Sequence, residues 1–250
     1  SRLNIQEFNE PQIGLSRLEQ GSLVHKILEN FFNAIPSSSD LKKLPEDKLQ
    51  EEINKHINSA IQLISQSNFK SIEKERLTKI INKYIKLEKN REFFQVIKTE
   101  SESKVDVNGL KFSTRIDRMD QMKDGTNLII DYKTGQNVNL SQLTGDPLDQ
   151  AQLPIYAITN PVAGIAFATV NSKDCQFKAI TKNKFDLPLS QQAIKRMPEW
   201  NEQVSEWELE LNSASQKFQE GVAEVLPTIN ACDYCDYDLL CRFEKSGNNR

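Results

Sequence analysis

Two acids and a lysine in this chain have the types and spacing that phosphodiester chemistry requires. Asp117 lies in Ile116-Asp117-Arg118, and Asp131 opens the run Asp131-Tyr132-Lys133-Thr134-Gly135. Two carboxylates brought close repel each other, and a hard divalent cation removes that repulsion. Mg2+ takes carboxylate oxygens together with water and substrate phosphate in an octahedral shell. An ion held there lowers the pKa of a bound water and polarises a phosphoryl oxygen. A neighbouring lysine stabilises the pentacovalent charge or positions the attacking water. Period-two alternation puts Lys133 on the face of Asp131 and turns Tyr132 away, leaving the Tyr132 carbonyl as a further ligand. Taken alone, Asp-x-Lys is short, and an ordinary strand end before a glycine turn has the same appearance.

The elements that must carry these residues are legible as changes of period. Leu18, Leu23, Val24, Ile27, Leu28, Phe31 and Phe32 recur at mixed three and four spacing, which predicts an amphipathic helix over 16–35 with His25 on it. Ser37-Ser38-Ser39-Asp40 reads as a polar loop. Pro45 with Glu46 and Asp47 reads as the first turn of a second helix running to about Gln66, and a third spans Ser71 to Arg91. After Glu92 the pattern becomes alternation. Strands Phe94 to Val107 and Leu110 to Met119 meet at Asn108-Gly109, and Asp124-Gly125 turns the chain into the apolar strand Leu128-Ile129-Ile130. The outcome is a three-strand meander in which Asp117 and Asp131 occupy adjacent antiparallel strands and converge near one sheet end. A helix over Gln150 to Thr159, strands Val162 to Val170 and Gln176 to Thr181, and a helical region over 189–221 broken near Pro198 complete the order.

These motifs resemble the nuclease domain of the RecB/AddB-type branch of the PD-(D/E)XK superfamily. The carriers are Gly21-Ser22-Leu23-Val24-His25, Thr114-Arg115-Ile116-Asp117-Arg118-Met119-Asp120, the unaltered Asp131-Tyr132-Lys133-Thr134-Gly135, and Gln152 to Tyr156. The family usually has glycine where Thr114 stands. The resemblance implies a mixed α/β, restriction-endonuclease-like core, with a central mixed sheet and strand meander flanked by helices. It implies metal binding by His25, Asp117, Asp131 and the Tyr132 carbonyl, catalysis by Lys133, and support of the lysine or the DNA strand by Gln152 and Tyr156. An imidazole ligand suggests that Mn2+ serves as well as Mg2+. Relatives often carry an acid on the strand before Asp117. Glu100 and Glu102 both qualify, and solvated strand faces explain both equally.

The tail holds a second constellation, Cys232-Asp233-Tyr234-Cys235 followed by Cys241. In a cytosolic protein such spacing points to a metal or cluster more often than to a disulfide. The resemblance implies a [4Fe-4S] cluster closed by a fourth cysteine before the first helix, yet none precedes Gly21. The missing ligand was lost with an N-terminus, or Cys175 substitutes; a free buried cysteine and a zinc site are the other readings. The chain opens on Ser1-Arg2-Leu3, consistent with a fragment of a larger protein.

Composition bounds the rest. A chain of 250 residues with net charge -3 and 27% charged residues fits one domain of 1–250, helical over 1–92, sheet-rich over 93–188 and helical with a cysteine tail over 189–250. It is not a globally basic nucleic-acid binder, so DNA contact must be local. From Lys70 to Arg91 there are eight Lys or Arg against Glu73, Glu75 and Glu88. Arg76, Lys79, Lys83 and Lys86 form a stripe that suits a phosphate backbone, and a solvated helix face explains it too. The absence of a long apolar run or leader pattern favours a cytoplasmic protein without a membrane partner. The expected activity is a Mg2+- or Mn2+-dependent deoxyribonuclease, an exonuclease on DNA ends or single strands in recombination or repair, served by a helicase domain or subunit. A catalytically inactive DNA-binding module and a structure-specific endonuclease are the alternatives.

Overall fold

A computed structural model describes residues 14–225 apart from 65–66, 136–137, 146–147, 149, 185 and 223, together with residues 227, 232 and 235. The first helix, α1 (Arg17–Ala34), begins with a reciprocal cap: Ser16 Oγ accepts from the Glu19 N–H at 3.2 Å, and Glu19 Oε2 accepts from the Ser16 N–H at 2.8 Å. Of its periodic residues Leu23, Val24, Ile27, Leu28, Phe31 and Phe32 are buried, whereas Leu18, in the first turn before the helix reaches the sheet, is 80% exposed. The polar stretch expected to be a loop forms a helix instead, α2 (Ser38–Lys43), because Ser37 Oγ accepts from the Asp40 N–H and caps its start. Helix α3 (Glu46–Ile61) stops earlier than the pattern predicts, and Ser65 and Gln66 lie outside the described residues. Helix α4 (Lys70–Lys89) follows.

The sheet has five strands in sequential order: β1 (Gln95–Val107), β2 (Leu110–Gln121), β3 (Asn127–Lys133), β4 (Gly164–Val170) and β5 (Cys175–Thr181). The first three form the expected antiparallel meander. Asn108 at φ 49° and Gly109 at φ 88° make the first turn, the pair of left-handed residues that matches strand twist in a tight hairpin. Strand β3 then pairs with β4 in parallel, across a connection carrying α5 (Gln152–Thr159), and β4 pairs antiparallel with β5. The mixed sheet flanked by helices is the architecture read from the sequence. Helices α6 (Gln191–Arg196) and α7 (Trp200–Gln219) are separated around Pro198, whose missing N–H ends the first of them.

Two apolar layers enclose the sheet. On one face Leu128, Ile130 and Tyr132 of β3 pack with α1, α3 and α4; on the other Ile129 packs with Leu153 and Tyr156 of α5 and Trp207 of α7. Strand β3 is thus covered on both sides, as a strand next to a parallel neighbour must be. No helix among the described residues is long and apolar enough to cross a membrane.

Within the first layer lies a group of charges, two from the run read as a basic helix over Ser71 to Arg91 and two from strand β2. Glu88, Arg91, Arg118 and Asp120 are fully buried. Arg118 donates from Nε to Asp120 Oδ1 at 2.6 Å and from Nη1 to Glu88 Oε1 at 2.9 Å. Arg91 Nη1 bridges the same two acids, at 2.7 Å to Asp120 Oδ2 and 3.0 Å to Glu88 Oε2. Two acids and two guanidinium groups cancel, so the cluster carries no net charge. Burial is the largest influence on Asp120 and pushes its carboxyl up, but Arg118 and Arg91 together outweigh it and hold the group below its ordinary value. The Arg118 guanidinium also lies 3.8 Å from the centre of the Phe32 ring, tying the sheet to α1.

Candidate active site

The site forms where the N-terminal half of α1 crosses the end of the sheet. The β2/β3 register pairs Arg118 with Ile130, so one step further Asp117 faces Asp131. There the ladder gives way, and Asp117 Oδ2 accepts a 2.8 Å hydrogen bond from the Tyr132 N–H. The register counted from the Asn108-Gly109 turn decides between the two glutamates. Val107 pairs with Leu110, Ser101 with Ile116 and Thr99 with Arg118, which sets Glu100 across from Asp117 and Glu102 opposite Arg115. Glu100 has φ 42°, a conformation rare for a residue with a side chain. Its carboxylate is therefore aimed at the site, and Arg115 Nε holds the second oxygen at 2.9 Å.

His25 comes down from α1 onto this group. Its Nε2 lies 3.0 Å from the Tyr132 carbonyl oxygen, and its Nδ1 lies 3.3 Å from Glu100 Oε1 and 3.5 Å from Asp117 Oδ2. Gly21, one turn earlier, sets how near α1 approaches, since a Cβ there would meet Thr134 Oγ1 at 3.3 Å. The donor atoms of His25, Glu100 and Asp117 all lie within 4.8 Å of one another, and theirs is the cation-competent group found among the described residues. Asp131 lies outside that trio. Its Oδ2 is 2.9 Å from Lys133 Nζ yet makes no hydrogen bond, because the ammonium is near but poorly aligned. Lys133 in turn lies over the Phe167 ring at 5.4 Å.

The residues present fit a divalent cation. Three carboxylates and a carbonyl gather around one imidazole, a ligand set dominated by hard oxygens. His25 Nε2 and the Tyr132 oxygen lie 3.0 Å apart. That separation is about the edge of an octahedron whose ligands stand roughly 2.1 Å from its centre. Oxygen-rich sites of this kind suit Mg2+ or Mn2+, with the imidazole tilting the choice toward Mn2+. His25, Glu100, Asp117 and the Tyr132 carbonyl are the residues placed to hold it, with Asp131 adjoining.

The acids record the crowding. Burial is the main cause that pushes the Asp117 carboxyl up to about 6; the Asp131 charge adds to it, while His25 and the Tyr132 N–H pull the other way. Asp131 is raised too, chiefly by burial, with Lys133 opposing. A carboxyl that ionises near 4 when unfolded and near 6 when folded favours the folded state at low pH. That stability is lost as pH rises between those values, in total about 3 kcal/mol. In EDTA, wild type should therefore lose thermal stability relative to Asp117→Asn between about pH 4 and pH 6. Mg2+ or Mn2+ at neutral pH should restore it in wild type alone. Parallel pH curves for the two proteins would count against a strained acid at this position.

Gln152 and Tyr156 occupy consecutive turns of α5 and both reach the Arg115 carbonyl, Tyr156 through its hydroxyl and Gln152 through Nε2 at 3.2 Å. The sequence reading assigned them to Lys133 or to the DNA strand. In the structure they grip β2 two residues before Asp117, so they position an acid. Of the cysteines, Cys175 is half-buried at the start of β5 with Sγ near the Asn171 carbonyl. Cys232 and Cys235 are described, and Cys241 lies outside the described residues. Two contributors escaped the sequence reading: Arg115, the counter-ion of Glu100, and Thr134, the surface on which Gly21 rests. Both were inside quoted motifs, but only the fold reveals their contacts.

With this geometry in hand, the family can be stated. The PD-(D/E)XK nuclease superfamily matches residues 2–242, nearly the whole chain, and the chain belongs to it. A solved structure titled "Crystal structure of SSO0001" covers 88% of this chain and 94% of its own at 16% identity, with a TM-score of 0.37. A likeness at that level carries no argument about the site. The chain matches no curated protein.

Proposed function

We propose that the chain hydrolyses DNA phosphodiesters with Mg2+ or Mn2+, acting as a RecB/AddB-like exonuclease on single strands or strand ends. The observation that carries this is the clustering of His25, Glu100 and Asp117, with the Tyr132 carbonyl, Asp131 and Lys133 beside them. When bound, the cation supplies an activated water and a counter-charge for the phosphoryl oxygens. Lys133, 30% exposed and over the Phe167 ring, offers its ammonium to the developing phosphorane charge. Asp131 keeps that ammonium on the site. Arg115 is 64% exposed even while paired with Glu100, so it faces any strand entering the cleft. The Asp131–Lys133 pair, intact at the site, argues against the inactive-module reading.

In this reading the domain belongs to a larger cytoplasmic protein or complex, and a helicase domain or subunit supplies the strand. Cys232, Cys235 and Cys241 would hold an iron-sulfur cluster, a part of the reading supported by their spacing. Linear and closed circular single-stranded DNA of equal length, incubated with Mg2+ or Mn2+, separate the possibilities. Linear DNA should be degraded from its ends while the circle persists. Nicking of the circle would replace the exonuclease reading with an endonuclease one, and two intact substrates would remove the nuclease reading.

A further inference from the structure

The active-site cleft, a cavity of about 560 Å³, is lined by Arg17, His25, Glu100, Arg115, Asp117 and Lys133 among others. Behind it opens a second cavity of about 670 Å³, lined by Arg76, Ile80, Val138, Asn171 and Ser172. Arg17, Lys133, Thr134 and Gly135 line both, so the two meet across the backbone that follows β3. The second cavity has its own cation. Arg76 pairs through Nε with Glu73 at 2.8 Å, while its Nη2 is buried without a hydrogen-bond partner. The side chain is still 27% exposed at the cavity wall, so a phosphate oxygen in the cavity can reach the guanidinium as a charge-assisted acceptor.

The basic stripe of α4 divides at this point. Lys79 is taken by Glu75, and Lys83 donates to the Lys173 carbonyl. Arg76 and Ile80, four residues apart on one helix face, turn into the cavity instead. Across from them Asn171 Nδ2 donates to the Gly135 carbonyl at 3.0 Å, fixing the ridge between the two cavities. Arg17 stands at the first turn of α1 and lines both cavities.

We infer that the second cavity is the binding site for the neighbouring phosphate of the strand being cut, with Arg76 as its principal ligand and Arg17 spanning the step from the scissile phosphate. The strand runs over the Lys133 to Gly135 ridge, and the residues facing Arg76 fix its path. This inference rests on the nuclease reading for the identity of the strand. It assigns Arg76 to binding and leaves the chemistry with the acids and Lys133.

The test uses a fluorescein-labelled single-stranded oligonucleotide, with binding followed by anisotropy at several salt concentrations. Ca2+ replaces the working cation so that the oxygen ligands are met while the strand stays whole. Wild type and Arg76→Gln are compared, with Arg76→Lys as the charge-retaining control. Loss of one phosphate contact should weaken binding by about tenfold and lower the slope of log affinity against log salt by roughly 0.7. Arg76→Lys should recover the slope. An Arg76→Gln protein with wild-type affinity and slope overturns the inference.

Should Arg76→Gln fail to fold, Glu73→Gln carries the test, since freeing Arg76 from its acid must tighten binding, and unchanged affinity is the contrary result. The same oligonucleotide in Mg2+ keeps the two readings apart. Wild type that cuts it while Arg76→Gln binds normally overturns the strand path alone. Wild type that binds but does not cut overturns the nuclease reading and leaves the phosphate site standing.

Discussion

Replacing Lys133 with alanine should reduce metal-dependent DNA cleavage by a factor on the order of a thousand while leaving the fold in place. Removing one preorganised charge aimed at a developing oxyanion costs about 10²–10³ in rate, and a full cationic ammonium belongs at the upper end. The side chain is 30% exposed and its close ionic contact is with Asp131, so truncation leaves no cavity in either apolar layer. Stability with metal present should change by about 1 kcal/mol or less. Single-turnover cleavage at saturating enzyme separates the chemical step from binding, and oligonucleotide affinity should hold within a few fold. Cleavage retained within tenfold of wild type would show that Lys133 does not stabilise the transition state and would return Asp-x-Lys to an ordinary strand end.

The second large effect belongs to stability. Glu88→Ala should destabilise the protein by about 3–5 kcal/mol, the range seen when one partner of a buried ion pair is removed. Two guanidinium groups would then face Asp120 alone, and the Tyr84 hydroxyl would lose the carboxylate it donates to. Against a typical total of roughly 5–15 kcal/mol, such a loss lowers the urea midpoint severely. Glu88→Gln keeps the volume and part of the hydrogen bonding, so it should fall between the two. A midpoint for Glu88→Ala within about 1 kcal/mol of wild type would mean that water enters and that the cluster does not hold the sheet to α1.

The cluster also shows where the sequence stopped being informative. Glu88, in the last turn of α4, and Arg91, two residues past its end, belong to a run with so many Lys and Arg that the pair reads as solvated charge. Their burial depends on Arg118 and Asp120 arriving from β2, a contact that no helical period encodes. By contrast, the strands carrying Asp117 and Asp131 were legible because Asn108-Gly109 and Asp124-Gly125 mark hairpin turns by backbone necessity. The α1 motif was legible because its apolar stripe fixes which side faces the sheet, and so where His25 points.

Glu100 was separable from Glu102 by counting strand positions back from the Asn108-Gly109 turn, which puts Glu100 opposite Asp117. That count holds only because the pairing stays in register until Val96/Lys98, and the sequence does not mark where a register breaks. Helix α2 was missed because serine and aspartate serve caps and loops alike, and Ser37 is a cap. Gln152 and Tyr156 were recognised as a pair, but their target, the Arg115 carbonyl, is a backbone atom and leaves no trace in side-chain identity.

Strand β3 is enclosed on both faces and paired on both edges, and this removes any graded route to failure. A slip of one residue would drive Asp131 and Lys133 into the layer beside Tyr84 and Phe177 and lift Tyr132 onto the acidic side. Burying two charges in that layer is prohibitive, so misregistered molecules have no stable state to occupy. Every chain that completes folding therefore carries a complete set of reacting groups. If the chain cuts DNA as proposed, specific activity at saturating cation then counts native molecules, and partial activity under that condition signals a mixture of folded and unfolded chains.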